Sequence, residues 1–477
     1  MLIVLLIGIP LLSGLAAFIL RGKTAGLFSI VMSLVTFILS VMGYKAFTSA
    51  GTSELDYSMP WLPALGSSFS LTLNSSVGIL MLLLTAIAFP LIFINQMNKD
   101  VKNPGTFYGL MLLAQAGLMG VFLANDAFLF YIFWELALIP VYFLSSFYGG
   151  PRRIPVTFKF FVYTFAGSLL MLVAMLFLYQ HTSDHSFSLN AMIEAGKSLE
   201  GSQQTWVFWM MFVAFAIKMP VFPFHTWQPD AYEQSATPVT MVLSALMVKM
   251  GLFAVLRWLL PVVPDASHLW MNVVITLSVV GIVYASCLAM VQTNIKRMIA
   301  YSSIAHIGLM CAAIFSFQTI GMQGVVIQMF NHGINIMGLW ILVSILENRL
   351  QTQDMNDMGG IAKIASGFTV ALVLISLANI ALPLTNGFVG EFIMFNGLFQ
   401  SESAYHIGFT VVAGLGVILS AVYTLRMIQR VALGSLNSIT EKFEDLALNE
   451  WIVLIIIMGI ILWLGISPQF LMQLVNH

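Results

Sequence analysis

Two lysines and two glutamates stand inside stretches that otherwise consist of apolar residues. Lys218 lies in FVAFAIKMPVF and Lys249 in VTMVLSALMVKMGLF. Glu135 lies in FYIFWELALIP and Glu391 in NGFVGEFIMF. A charge at the centre of a bilayer costs about 2.5–3.5 kcal/mol on insertion scales, and it persists mainly where it faces a protein interior or a water path. Four ionisable groups at that depth predict a chain that handles ions or protons.

The residue types indicate what each group would contribute. A carboxylate near a buried lysine changes the proton affinity of that lysine, so we predict that Glu135 and Lys218 form a gating pair. Lys249, about eleven residues into its helix, is predicted to be a central relay site. The alternatives are a static ion pair that fixes helix packing and, for Lys249, a side chain that extends to the membrane surface.

Two histidines add groups that titrate near physiological pH. His306 lies in YSSIAHIG and His332 in QMFNHGINIMG. Glu391 is predicted to be the release site of the second half. For each histidine the alternative is a hydrogen-bonded core residue, and for Glu391 it is a structural carboxylate. The resulting prediction is a polar line in the order Glu135, Lys218, Lys249, His306, His332, Glu391.

The composition is that of a polytopic membrane protein. Hydrophobic residues make up 59% of the 477 positions and charged residues only 8%, whereas soluble domains carry about 25% charged residues. A net charge of −1 gives no basic face for a nucleic acid. The two cysteines, Cys287 and Cys311, lie in apolar segments, which excludes a disulfide framework or a CxxC metal site.

Windows of about 20 apolar residues predict transmembrane helices. The fold class is all-α, because lipid offers no partner to an open sheet edge. The sequence predicts fourteen such helices, at 2–20, 26–43, 77–96, 107–124, 127–148, 157–180, 205–220, 238–260, 270–290, 295–316, 322–346, 366–400, 405–430 and 450–473.

Basic residues separate onto two sides when these helices alternate across the membrane. Fourteen fall on one side, whereas only Lys45, Lys197 and Arg257 fall on the other. The positive-inside rule makes the basic side cytoplasmic, so both termini are predicted to be periplasmic in a bacterial inner membrane. The N-terminal apolar run has no basic residues before it and is predicted to be a retained first helix.

The longest polar stretches, 44–76, 181–204 and 431–449, are too short for a soluble domain. The first is predicted to form a short external hairpin. The second is predicted to be an exposed loop. Its histidines and acids show no ligand spacing on a helix, so we predict no metal site there.

Helix breakers interrupt two of the predicted helices. One contains Pro220 and Pro223, and the other contains Pro383 and Gly387. Each should open its helix, and freed backbone groups at membrane depth are tolerated only beside a cavity or inside protein. Aligning residues 216–220 with 379–383 gives an offset of 163.

The offset predicts two related five-helix units, and an odd number of helices repeated in tandem must invert its orientation. The predicted domains are helices 1–3 (1–105), a first repeat (106–260), a second, inverted repeat (261–430) and a last helix (431–477).

Several motifs resemble the antiporter-like subunits of proton-pumping NADH:quinone oxidoreductase, respiratory complex I. They are FWELALIPVYFL, KFFVYT, AIKMPVFPFHTWQPDA, QTNIKRMIAYSSIAHIG and the GGI at 359–361. The M-type chains of this family, relatives of mitochondrial subunit 4, are the most similar, because they have a glutamate where Glu391 stands and sister chains have lysine. The sequence departs from the family pattern at Leu384, at Asn294 and at residues 74–76.

The resemblance implies a proton-translocating chain without redox chemistry of its own. No CxxCH or GxGxxG motif is present in the sequence. The resemblance then implies that partner subunits bind NADH, FMN, iron–sulfur clusters and quinone. It implies neither a cofactor nor a metal in this chain. The expected partners are antiporter-like chains L and N, small membrane subunits and lipid, with no nucleic acid.

The resemblance also points to His225 and Asp230, in HTWQPDA, as residues that shape proton uptake. Helix capping explains them equally well. Two alternative functions share the same Glu–Lys–Lys core: a subunit of a multisubunit Na⁺/H⁺ antiporter, and a subunit of a membrane-bound hydrogenase.

Overall fold

The computed structural model describes residues 1–49 and 55–476, and most of them are helical. The helices are α1 (Leu2–Ala17), α2 (Gly22–Ser49), α3 (Ser76–Gln96), α4 (Pro104–Leu123), α5 (Ala127–Tyr148), α6 (Arg153–His181), α7 (Leu189–Ser198), α8 (Gly201–Lys218), α9 (Gln228–Gln234), α10 (Thr237–Val242), α11 (Val248–Ala254), α12 (Leu260–Val262), α13 (Pro264–Leu269), α14 (Met271–Val291), α15 (Ile295–Ile314), α16 (Thr319–Leu350), α17 (Ser366–Asn379), α18 (Asn386–Phe399), α19 (His406–Ala432), α20 (Leu448–Ile466) and α21 (Gln469–Val475). The strands are β1 (Asp56–Leu62) and β2 (Ser67–Thr72).

The helical membrane fold that the composition predicted is confirmed. Within the described residues, eleven helices are long and apolar enough to cross a membrane, and α1 and α17 are shorter apolar helices. The count of fourteen spans stays a prediction, because it depends on combining short and broken helices.

Burial separates the central helices from the peripheral ones. The apolar window of α16 is 100% buried, whereas those of α2 and α19 are only 28% buried. α16 packs against α3, α10, α15 and α18. A helix that is covered on all sides belongs to the core, and an exposed apolar face is covered by lipid or another membrane subunit.

The two ends of the bundle differ in charge. At one end, which we call the basic face, ion pairs and hydrogen bonds join segments distant in sequence: Arg152–Glu233, Lys159–Asp230, Arg297–Asp230, Lys296–Glu347, Arg349–Glu450 and Lys99–Ser344. At the other end, the hairpin face, Arg257 donates to Asn125. The segregation agrees with the alternation read from the sequence. Which face is cytoplasmic stays a prediction.

The predicted hairpin is confirmed for residues 56–72, and its position on the external side stays a prediction. Residues 50–54 lie outside the described part of the chain. β1 and β2 pair antiparallel from Asp56–Thr72 onwards. Asp126 fixes the hairpin to the helices: it accepts hydrogen bonds from Ser67 and Ser68, and its side chain also caps the start of α5.

The prediction that residues 181–204 form only a loop was wrong. The stretch contains α7, whose N-terminus is capped by Ser188. Leu189, Met192 and Ala195 are buried. Apolar residues at this spacing form one face of a helix, a signal that the polar composition of the stretch obscured.

Some predicted boundaries also change. α2 extends over Gly22–Ser49 instead of 26–43. The last predicted helix, 450–473, is divided into α20 and α21 at Pro468, which precedes α21 directly. Proline restricts the residue before it and favours such a boundary.

Both predicted helix breaks are present, and their backbones are alike. α8 ends at Lys218 and α9 begins at Gln228, whereas α17 ends at Asn379 and α18 begins at Asn386. Each break closes with the same three backbone hydrogen bonds: Met219 to Phe215, Val221 to Ala216 and Phe224 to Val221 in the first, and Ile380 to Ser376, Leu382 to Leu377 and Thr385 to Leu382 in the second.

The shift between the two sets is 161 positions, from 219 to 380. The predicted offset of 163 was therefore wrong by two, because it matched prolines instead of helix ends. Asn379 takes the place of Lys218 in the second break. The inverted five-helix units and the domain bounds stay predictions.

The helix predicted at 238–260 is not regular. Two π-helical turns, Leu243–Met247 and Val255–Leu259, flank α11, which carries Lys249. Such wide turns inside α-helices are frequent at functional sites.

Candidate functional site

Lys218 is the last residue of α8 and is only 2% exposed. Its Nζ lies 5.4 Å from the centre of the Trp134 ring on α5, a cation–π contact. Trp227 Nε1 donates to the Ile217 carbonyl at 2.9 Å and fastens the returning chain to the end of the helix. The first break is thus held by aromatic side chains around the ammonium group.

Glu135 and Lys218, predicted to be a pair, are not joined in this structure. Within the described residues no ion pair of 4.0 Å or less includes either of them. Lys218 Nζ and Glu135 Oε1 are buried, and neither has a hydrogen-bond partner there. Trp134, the residue before Glu135 on α5, lies against the ammonium group. The gating role of Glu135 and Lys218 stays a prediction.

Lys249 is fully buried and has polar contacts at both sides of its Nζ. It donates to the Ser244 carbonyl at 2.7 Å, and its Nζ lies 2.9 Å from His332 Nδ1. Ser244 belongs to the π turn before α11, where residues five apart lie one above the other.

α16 carries a stripe of buried polar side chains: Gln328, Asn331, His332 and Asn335. Their spacing of three, four and seven places them on one face of the helix. Asn331 donates to the Asn386 carbonyl at 2.7 Å and Asn335 to the Ala378 carbonyl at 3.2 Å. These amides satisfy carbonyl groups on both sides of the second break. These three amide side chains were not predicted, although their helical spacing is visible in the sequence.

Glu391 lies on α18 and is held from two neighbouring helices. His306 Nδ1 is 3.0 Å from Glu391 Oε1, and Gln328 Nε2 donates to the same oxygen at 3.5 Å. The residue before it, Gly390, faces Gln328 so closely that a Cβ there would collide with the amide. Glycine therefore allows the close approach of α16 and α18 that puts Gln328 beside Glu391.

The two histidine rings connect these contacts. Their centroids are 5.4 Å apart, and Nε2 of each is buried without a hydrogen-bond partner among the described residues. The side chains in contact are, in order, Lys249, His332, His306 and Glu391. We call these four the connected segment.

The predicted order of the two histidines was wrong. α16, which carries His332, packs directly on α10 and the π turn before Lys249. α15, which carries His306, packs on α18 and so brings its histidine to Glu391. Sequence order along the chain does not reveal which of two helices lies nearer to a third.

A small cavity of about 20 Å³ adjoins His306 and Glu391 and is also lined by Tyr423. This is room for about one water molecule. Tyr423 donates to Ser302 Oγ at 2.9 Å, and Asn379 donates to the same oxygen at 3.3 Å. This cluster was not predicted, since its members are single polar residues on three different helices.

His225 and Asp230, the predicted residues of proton uptake, are not in the connected segment. His225 is buried and stacks on Phe222, with ring centroids 5.7 Å apart. Asp230, in the first turn of α9, binds Lys159 and Arg297 at 2.9 Å each. Burial alone would raise the pKa of Asp230, but the hydrogen bonds from the two cations outweigh it and hold the pKa below its ordinary value. Asp230 therefore stays ionised at neutral pH and fastens α9 to α6 and α15.

Lys296 is a third buried lysine, and the sequence predicted it only as one of the basic residues outside the membrane. It is 2% exposed. Its Nζ donates to Glu347 Oε1 at 3.2 Å and to the Ser235 carbonyl at 3.0 Å. Gln353 and Thr237 also donate to the Glu347 carboxylate.

Among the described residues, no group of three His, Cys, Asp or Glu side chains could hold a metal ion.

A family model described as "NADH:quinone oxidoreductase/Mrp antiporter, TM" matches residues 124–420, more than half of the chain. The chain belongs to this family. The matched region contains the whole connected segment, Lys218 and Glu135.

Relatives and solved structures match over nearly the full length. NADH-quinone oxidoreductase subunit M of Rickettsia typhi is 33% identical and covers 98% of this chain and 95% of its own. Subunit M of Escherichia coli K12 is 34% identical over 90% and 85%. A chain of respiratory complex I from Thermus thermophilus with bound NADH is 26% identical, with a TM-score of 0.91 over 99% and 97%.

Proposed function

We propose that this chain is a proton-translocating membrane subunit of a proton-pumping NADH:quinone oxidoreductase. The observation that carries the proposal is the connected segment: four titratable side chains in contact within the buried core. Buried ionisable groups in a membrane are costly and mark ion or proton pathways.

The contacts define how a proton would move. Lys249, as an ammonium ion, donates to His332 Nδ1, which must then be unprotonated, with the proton of the neutral ring on Nε2. A proton accepted at Nδ1 is balanced by release from Nε2 toward the ring of His306. His306 Nδ1 faces Glu391, which takes the proton in the last step. After each transfer, the group that gave up its proton can accept a new one.

The redox chemistry belongs to other subunits in this proposal. The family membership and the names of the relatives support NADH, FMN, iron–sulfur clusters and quinone in partner chains, with antiporter-like chains L and N and small membrane subunits as neighbours in the bilayer. The basic face is cytoplasmic and both termini are periplasmic, as the excess of basic residues on one side supports. The membrane is the bacterial inner membrane.

Lys249→Ala tests the proposal in the complete complex. Inverted membrane vesicles oxidise NADH with quinone while a fluorescent dye reports acidification. We expect acidification to fall at least about tenfold in vesicles with normal amounts of assembled complex, equivalent to ~1.4 kcal/mol or more in the transfer barrier. Lys45→Ala, an exposed lysine on α2, is the matched control. Normal acidification by Lys249→Ala would refute the function.

The Na⁺/H⁺ antiporter that the sequence leaves open predicts a different result. Acidification would then respond to a sodium gradient without NADH, and Lys249→Ala would abolish that response. Absence of the sodium response in native vesicles supports the oxidoreductase.

A further inference from the structure

A cavity of about 320 Å³ opens on the basic face, and its lining includes Lys99, Thr237, Ser344 and Glu347. Lys99 Nζ donates to Ser344 Oγ at 2.7 Å. Burial lowers the pKa of Lys99 to about 8, although the carboxylates of Glu450 and Glu347 oppose this shift. The cavity therefore has at its mouth a group that exchanges protons close to neutral pH.

An ion pair joins two residues of the cavity lining to a buried lysine, and we call this side of the cavity its floor. Lys296 is 2% exposed and donates to Glu347 Oε1 at 3.2 Å and to Thr237 Oγ1 at 3.3 Å. Thr237 in turn donates to the other carboxylate oxygen of Glu347. The first residue of α10 and the last turns of α16 thus meet at a charged junction.

The same two helical segments meet again at the connected segment, where Lys249 contacts His332. From Thr237 to Lys249 is twelve residues, and from His332 to Glu347 is fifteen. At 1.5 Å per residue these are lengths of about 18 and 22 Å. The two helices therefore run antiparallel and side by side from the cavity floor to Lys249.

Polar groups lie along the line where these two helices meet, between the cavity floor and Lys249. We call this line the seam. Thr237, Thr240 and Ser244 lie on one face of their helix, because three and seven residues correspond to nearly whole turns. We call them the hydroxyl strip, and all three are at most 5% exposed. On α16, Trp340 lies within about 80° of both His332 and Glu347 around the helix axis.

Among the described residues, three polar atoms along the seam are buried without a hydrogen-bond partner: Ser244 Oγ, Trp340 Nε1 and the hydroxyl of Tyr232, whose ring centroid lies 5.8 Å from that of Trp340. A buried polar group that is left unpaired is energetically costly. Water that makes several such hydrogen bonds removes this cost. A file of water along the seam would satisfy them all.

We propose that the hydroxyl strip lines the path by which protons reach Lys249 from the basic face, and that the Lys296–Glu347 ion pair is the gate at its outer end. The proton passes between water and hydroxyl oxygens, each giving up one proton as it accepts another, so no other reactant is needed. The path differs from that predicted through His225 and Asp230. It rests on the proposed function, because it leads to Lys249.

Thiol labelling tests the path independently of transport. Ser244→Cys is made in the complete complex with Cys287→Ser and Cys311→Ala, and inverted vesicles, whose outer surface is the basic face, are treated with a charged methanethiosulfonate. Adding Glu347→Ala should raise the labelling rate at least about tenfold, the factor for a gate whose opening becomes ~1.4 kcal/mol easier. Lys296→Met should do the same if the Glu347 variant does not assemble.

Two controls accompany the labelling. Lys159→Gln removes a different ion pair on the basic face, Lys159–Asp230, and should leave the rate at Ser244→Cys unchanged. Ser286→Cys should stay unlabelled, because Ser286 is buried on α14 and its hydroxyl has no hydrogen-bond partner among the described residues of the native chain. Equal labelling with and without Glu347→Ala, or labelling of Ser286→Cys as fast as that of Ser244→Cys, would overturn the proposal.

Transport separates this proposal from the function on which it rests. Ser244→Val fills the strip with a methyl group and should lower acidification several-fold, whereas Ser286→Val should not. If Lys249→Ala abolishes acidification but Ser244→Val does not change it, the proton path lies elsewhere and the function stands. If Lys249→Ala has no effect, the function itself is wrong.

Discussion

The two broken helices have equivalent backbone hydrogen bonds at their breaks but differ in the contacts that their polar side chains make. Both breaks close with the same set of backbone hydrogen bonds. At the first, Lys218 lies over Trp134 and has no hydrogen-bond partner among the described residues. At the second, Asn379 donates to Ser302, and the nearby Glu391 is held by His306 and Gln328.

The difference shows that a helix break provides access to backbone groups but does not create a polar network. The second half has one because α16 supplies four polar side chains on a single face. Beside Lys218 the described residues place the Trp134 ring instead. Burying a charge is energetically costly unless it is paired, and among the described residues Lys218 has fewer polar contacts to offset this cost than Lys249 has.

The largest expected effect is the loss of stability in Lys249→Met, compared with Lys218→Met. Lys249→Met removes a donor from the Ser244 carbonyl and His332, and should destabilise the chain by about 1–3 kcal/mol. Lys218→Met removes an unpaired charge and should be neutral or stabilising, as is often found for apolar replacement of buried charges. Thermal unfolding midpoints of the purified complexes compare the two. Equal losses would mean that the halves do not differ.

Trp134→Leu tests how much the aromatic ring contributes to holding Lys218 at the first break. It removes the ring over Lys218, and should cost roughly 0.5–2 kcal/mol as a desolvated cation–π contact. The same unfolding midpoint is measured, with the lipid-facing Trp463→Leu as the control. If the lysine is already replaced by methionine, Trp134→Leu should cost less. An unchanged cost in that background would show that the ring acts only by packing.

Asp230→Asn tests how the returning helix of the first half is held. The folded pKa of Asp230 lies below its ordinary value, so its contribution is present above that value and disappears as the pH falls through the folded pKa. At pH 7 the variant should exchange the amide hydrogens of α9 about two- to fivefold faster, matching partly exposed ion pairs worth ~0.2–1 kcal/mol. The difference from the native chain should begin to shrink as the pH falls below about 4 and should vanish only below the folded pKa. A difference that persists there would exclude the charge as its cause.

The smallest effect is expected at the start of the second broken helix. Asp445 accepts hydrogen bonds from the backbone N–H groups of Gly367 and Phe368 at 2.9 and 2.8 Å, like a cap supplied from a distant loop. Burial would raise its pKa, but these bonds hold the pKa of Asp445 below its ordinary value. Asp445→Asn should cost a few tenths of a kcal/mol up to about 1, because the side chain is exposed and screened. Hydrogen exchange at the start of α17 measures it, and no change would show that the loop does not hold the helix.

The sequence predicted what depends on local chemistry. Apolar runs gave the helices, Pro220 and Pro383 gave the breaks, and the family motifs gave the buried titratable residues. It could not predict which helix lies against which, and for that reason it exchanged the places of His306 and His332. The gating pair of Glu135 and Lys218 stays a prediction, and the sequence did not reveal that Trp134 lies against the ammonium group of Lys218.

Functional-site residues whose neighbours in the sequence form no motif were not predicted. Lys296 follows a polar turn and looks like a surface charge until α16 brings Glu347 over it. Ser302 and Asn379 belong to different helices and show no spacing that relates them. In contrast, the polar stripe on α16 has a helical period and could have been recognised from the sequence.

The two π turns beside Lys249 give this helix room to lose a residue. A π turn contains one residue more than the α-turn that it replaces. Deleting a single residue from Leu243–Met247 would therefore convert the wide turn into a regular α-turn and leave Lys249 facing His332. The same deletion from a regular α-helix would turn everything after it by about 100°. A one-residue deletion in Leu243–Met247 should thus be less harmful than the loss of Lys249 itself.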